Sequence, residues 1–259
     1  MGHVRIGFLP HTQQWNAIVN QISTYDNSTS TVAIVADRTL DAIRKEYENL
    51  QYDESVKKSI RFLSGIIVSS RQDNQIDFLQ NNGYEIDGNM TLFSVIGCLC
   101  KALQTENESL EINKLVKDAT VQAIMKYYQY HSEDQLSLFE SENNPFTNKG
   151  SGREFCELAR LFFASFTEKQ IRYYIDREAS RVINDFTKYT LFSKSLTEHS
   201  VEVSKHAFEI SQIMQSFAAG WFNKYALDHM PSESCITDFL RIAFGKMREE
   251  FRLEAIKDV

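Results

Sequence analysis

The fold turns on Arg153-Glu-Phe-Cys-Glu-Leu-Ala-Arg-Leu-Phe-Phe-Ala-Ser-Phe-Thr-Glu-Lys-Gln170. Phe155, Leu158, Ala159, Phe162 and Phe166 fall at i, i+3, i+4, i+7 and i+11, which puts their side chains on one face of an α-helix. Thr167 followed by Gln170 has the form of a capping box and predicts a second helix carrying Ile171, Tyr174, Ile175, Val182 and Phe186.

Downstream, Leu196, Val203, Ala207, Ile210, Met214, Phe217 and Trp221 form a heptad stripe; after its first step the spacing alternates four and three. From Phe217 to Phe222 the apolar character extends all round the helix, which predicts a buried end. Pro231 closes it, and a last helix from about Ser234 carries Ile236, Phe239, Leu240, Ala243, Met247 and Phe251. Upstream, Ile112, Leu115, Val116, Ala119, Ala123 and Tyr127 mark another helix, and Tyr127, Tyr128 and Tyr130 read as its packed end. Between these blocks, residues 131–153 are rich in Ser, Asn, Glu and Gly and read as a polar acidic loop or linker. Residues 105–150 hold 4 basic and 8 acidic side chains, so more than half of the net charge of -7 gathers there.

The first hundred residues are mixed. Val4–Leu9, Thr31–Ala36 and Ile66–Val68 read as three short strands, interleaved with a helix capped by Thr12 (Trp15, Ile18, Val19, Ile22, Tyr25) and another through Leu40, Ile43, Tyr47 and Leu50. Each apolar run is also short enough to be a turn of buried helix. Gly83 and Gly88 bracket a turn before an apolar helix from about Thr91 to Leu103. The expectation is a mainly α protein: a small α/β element in residues 1–104, a connecting helix over 105–130, the loop, and a helical bundle over 154–259. With 10 Gly and 3 Pro in 259 residues, a turn-rich all-β architecture is disfavoured.

Several classes of function are set aside by what the chain does not contain. It has no apolar run long enough for a signal peptide or a membrane span, so a cytoplasmic protein is expected. Cys98, Cys100, Cys156 and Cys235 form neither a disulfide framework nor C-x-x-C zinc pairs and read as buried thiols. Phosphate-cradling glycine loops, nucleophile elbows and H-E-x-x-H pairs are absent, and no cofactor is implied. His199, Glu202, His206 and Glu209 share one helical face with metal-ligand chemistry, but they flank an apolar seam, and the reading is a solvated face with no metal. Arg153, Arg160, Lys169, Arg172, Arg177 and Arg181 interleave with Phe162, Phe163, Phe166, Tyr173 and Tyr174. Six acidic side chains balance them and most of the rings sit at core spacing, so direct nucleic-acid binding is not expected.

One motif stands apart. Gln135-Leu136-Ser137-Leu138-Phe139 resembles the short peptide by which bacterial polymerases and repair proteins dock on the sliding clamp: Gln-Leu, then Ser or Asp, then Leu-Phe. All five positions fit; by ordinary residue usage such a match arises by chance in a chain this long about once in a few thousand. The resemblance covers five residues and implies a partner, not a fold. The competing role for Leu136, Leu138 and Phe139 is to pin the loop to this protein's own bundle. The functional expectation is a non-catalytic interaction or adaptor subunit of a larger prokaryotic assembly, in DNA replication, repair or anti-phage defence. The alternative is an enzyme with its site at the C-terminal ends of the N-terminal strands, near Pro10, Asp37 and Ser69.

Overall fold

The computed structural model describes residues 12–25, 34–35, 38–39, 42, 47–104, 110–132, 144–147, 150–210 and 215–257. Its organising element is α7 (Gly152–Val182), which starts at a capping box: the Ser151 hydroxyl accepts from the Arg153 N–H at 3.2 Å, and the Ser151 N–H donates to Glu154 Oε2 at 2.8 Å. Nearly every residue from Phe155 to Thr167 is buried, so this half of the helix is enclosed on all sides. Beyond Thr167 the buried set narrows to Gln170, Ile171, Tyr174, Ile175, Glu178 and Ala179. The break expected at Thr167 does not exist. No Gly or Pro occurs between residues 153 and 182 to end the first helix, and Thr167 is a buried side chain in an unbroken one. Phe186, expected on that helix's core face, lies beyond its end and is exposed.

Around α7 pack α6 (Leu110–His131), α8 (Phe186–Ile210) and α9 (Gln215–Tyr225), together with α1 (Gln13–Ser23) and α3 (Glu54–Ser69). A last long helix, α10 (Glu233–Lys257), covers α2 (Tyr47–Leu50) and the flank of α3. Rings join the layers: Phe239 of α10 meets Trp221 at 4.7 Å and Phe217 at 5.5 Å, while Phe155 meets Phe222 at 5.1 Å. At the other end of α7, Trp15 of α1 stands edge-on to Tyr174 at 6.1 Å.

Thr12 caps α1 through its hydroxyl, which accepts from the Trp15 N–H at 3.1 Å, and Trp15, Ile18 and Ile22 are buried as their spacing requires. Thr91 caps α5 (Leu92–Ala102), with Ser94 closing a capping box. Before it lie α4 (Gln75–Asn81) and the glycine turn, where Gly83 (φ 85°) and Gly88 (φ 71°) hold the left-handed conformation that a side chain resists.

Among the described residues there is no strand, and the α/β element is corrected. Ile66–Val68 is the last turn of α3, a helix capped by Asp53 whose Val56, Ile60, Leu63 and Ile67 follow helical steps. Its apolar run looked strand-like because α3 is wedged among α4, α5, α6, α7 and α10 and is buried on all sides. Ile34 and Val35 are helical, and the Thr39 hydroxyl donates back to the Val35 carbonyl at 2.6 Å. Val4–Leu9 lies outside the described residues. No helix of the described residues is long and apolar enough to cross a membrane.

Candidate functional site

The candidate site is the loop between α6 and α7, and its roots are built from named contacts. The first root is the end of α6. Tyr127 and Tyr128 are buried, as the sequence suggests, whereas Tyr130 is 63% exposed and is not part of that cluster. The His131 ring lies 4.6 Å from the Tyr127 ring, and its Nε2 is 3.0 Å from Glu157 Oε2 on α7. Ser132, the next residue, is buried. Burial, with Glu154 and Glu157 adding to it, pushes the Tyr127 phenol up and keeps it neutral.

The second root begins at Asn144. Its carboxamide oxygen accepts from the Phe146 N–H at 2.9 Å, its backbone carbonyl accepts from Thr147, and its Nδ2 donates to the Met90 carbonyl. Asn-Pro starts a turn because the Asn side chain can close on the backbone two residues on. That turn sends Phe146 inward, where it is 1% exposed and its ring meets Tyr127 at 6.1 Å and Tyr128 at 5.7 Å. Gln75 Nε2 on α4 donates to the Phe146 carbonyl at 2.7 Å. At Gly150 the N–H donates to Ser70 Oγ at 2.9 Å and the carbonyl accepts from Arg71 Nη1 at 3.0 Å. Ser151 then caps α7; burial works against the Glu154 carboxylate there, but the Ser151 hydroxyl and backbone N–H groups outweigh it and hold the carboxyl below its usual range.

Gln135, Leu136, Ser137, Leu138 and Phe139 lie outside the described residues, between these two roots. The root residues Asn144, Phe146, Gly150, Gln75, Ser70 and Arg71 were not singled out as a group by sequence reasoning. The available signal was Phe146 itself, a large apolar residue following Asn-Pro in the otherwise polar run from Glu140 to Gly152, which is the composition of an anchored turn.

The other sequence candidates fall elsewhere. His199, Glu202, His206 and Glu209 lie on α8, with side chains outside the described residues. Among the described residues no group of three or more His, Cys, Asp and Glu side chains is placed to hold a metal. Phe162, Phe163, Phe166 and Tyr174 are in the core, so their rings offer no stacking surface. All four cysteines are free thiols: Cys98 and Cys156 buried, Cys100 and Cys235 partly so. Pro10 and Asp37 lie outside the described residues, while Ser69 is a buried hydroxyl at the end of α3 that donates to the Ile66 carbonyl at 2.8 Å. With Ile66–Val68 helical, the enzyme alternative loses the strand end that placed Ser69 in a site. Comparisons with protein-family models, curated proteins and solved structures find no match.

Proposed function

We propose that this chain is a non-catalytic helical adaptor in a prokaryotic assembly and that it docks on a bacterial sliding clamp through Gln135–Phe139. The observation that carries this reading is the motif, matched at all five positions. Its setting supports it. Ser132 and Asn144 are each tied into the body, so the eleven residues between them form one short span in which the motif is bounded on both sides. A docking peptide of this kind presents apolar anchors to a partner groove and orders on binding. The processes that fit are replication and repair, in which proteins assemble on DNA through such a clamp; defence against phage is a further context for which no residue argues directly.

The direct test is binding of the full-length chain to an immobilised bacterial sliding clamp, with a free peptide spanning Gln135–Phe139 as competitor. Binding that the peptide displaces supports the reading. Absence of binding, or binding that the peptide leaves untouched, contradicts it.

A further inference from the structure

The second root of the loop is fastened differently from the helix that follows it. From Asn144 to Gly150, the described residues contribute one large buried side chain, Phe146, with Pro145 beside it; the remaining ties are single hydrogen bonds from Asn144, Gln75, Ser70 and Arg71. Two residues later α7 begins, with its own cap and nineteen buried residues. Gly150 lies so close to α3 that an added Cβ would stand 2.6 Å from Ile67 Cγ2 and 3.1 Å from the Ile67 carbonyl oxygen. Gly152 faces α9 instead, where a Cβ would stand 2.6 Å from the Ala219 carbonyl oxygen and 2.7 Å from Asn223 Oδ1. The two glycines therefore belong to different contacts: Gly150 lets the strap lie flat on α3, and Gly152 lets α7 approach α9.

We propose that Asn144–Thr147 together with Gly150 is a latch that opens as one unit while the bundle stays folded. A segment held by one buried ring and a few side-chain hydrogen bonds opens at lower cost than the core around it. Its opening frees Asn144–Thr147 and Gly150 from their contacts with the body and lengthens the tether behind Phe139. That consequence for docking rests on the function proposed above; the latch itself does not.

Native-state hydrogen exchange on the full chain tests it. The Gly150 amide donates to Ser70 Oγ across the contact with the body, so its exchange reports latch opening, while the Phe146 and Thr147 amides donate to Asn144 within the latch and report whether its turn survives the opening. Opening is expected to be at least about tenfold more frequent there than at Phe162 and Phe166 of α7. Phe146→Ala, which removes the plug, and Gly150→Ala, which lifts the strap, should each speed strap exchange by a further factor of about ten and leave α7 unchanged. Strap and α7 amides exchanging in step, or either variant speeding both equally, would overturn the latch. Clamp affinity of Phe146→Ala then addresses docking. A rise over the parent supports control by the latch, and an unchanged affinity contradicts that control. A parent that does not bind rejects the docking reading, while the exchange data still decide the latch.

Discussion

Trp221 shows how much one side chain can hold. It is buried, its indole N–H donates to the Cys235 carbonyl at 3.2 Å, and its ring meets Phe239 at 4.7 Å and Phe155 at 5.4 Å, so it joins its own helix to two others, α10 and α7. Trp221→Ala should cost about 3–5 kcal/mol, read as a shifted midpoint in a denaturant melt. An unchanged midpoint with loss of an oligomer would mean that the stripe is an interface and not core. Two buried acids predict the response to alkali. Burial raises the Cys98 thiol from 9.0 to about 11 and the Tyr84 phenol from 10.0 to about 12, with Lys101 and Arg61 opposing. Both groups stay neutral in the fold at a pH where the unfolded chain ionises them. The stability they contribute is therefore complete below about pH 9 and is lost as pH rises toward 11 and 12. Melts between pH 7 and 11 should show a falling midpoint above pH 9, with a later onset in Cys98→Ala; a flat profile would contradict the burial. The position of Trp221 was legible in the heptad stripe. Its hydrogen bond was not, because a contact between residues fourteen apart depends on how α9 and α10 cross.

At the scale of elements, α7 is the sharpest case. Were Thr167 the cap of a new helix, Glu168 would be its first residue, where proline is favoured. In the continuous helix, proline at 168 removes a mid-helix hydrogen bond and clashes with the preceding turn, at about 3 kcal/mol or more. Glu168→Pro should accordingly lower the denaturation midpoint severely, whereas a neutral or stabilising effect would restore the break. The capping pattern misled because Ser/Thr-x-x-Glu/Gln also occurs inside helices; what marks a true start is a stop before it, and Ser151 follows Gly150 where Thr167 follows Phe166. The cap at Thr12 was legible for that reason, standing after Pro10, and so was the helix start near Thr91, which follows the turn at Gly83 and Gly88. Helix α3 was not: its Ser55, Ser59, Ser64 and Ser69 are fully buried, and Ser59 Oγ accepts from Thr120 Oγ1 of α6 at 3.0 Å. Small hydroxyl residues look like loop or surface in sequence, yet here they allow two helices to approach closely, and they masked a 16-residue element.

For the whole molecule, periodicity carried the mainly helical class and failed where an element is buried on every side. Nothing in periodicity could foretell that Phe146 seals the loop's second root against Tyr127 and Tyr128, since those partners lie about twenty residues away. The proposed docking peptide is the reverse case: its reading rests on five residues of sequence and owes nothing to the fold. The central claim is that Gln135–Phe139 serves a partner and not this protein's own core. It is tested most directly by measuring clamp affinity and melting temperature together for the parent and for the Leu138→Ala, Phe139→Ala double variant. Apolar anchors carry most of the energy of such contacts, so the parent should bind, the double variant should lose more than about a hundredfold in affinity, and both should melt at the same temperature. A parent that does not bind, paired with a double variant that melts well below it, would contradict the account and make the peptide a clasp on its own bundle.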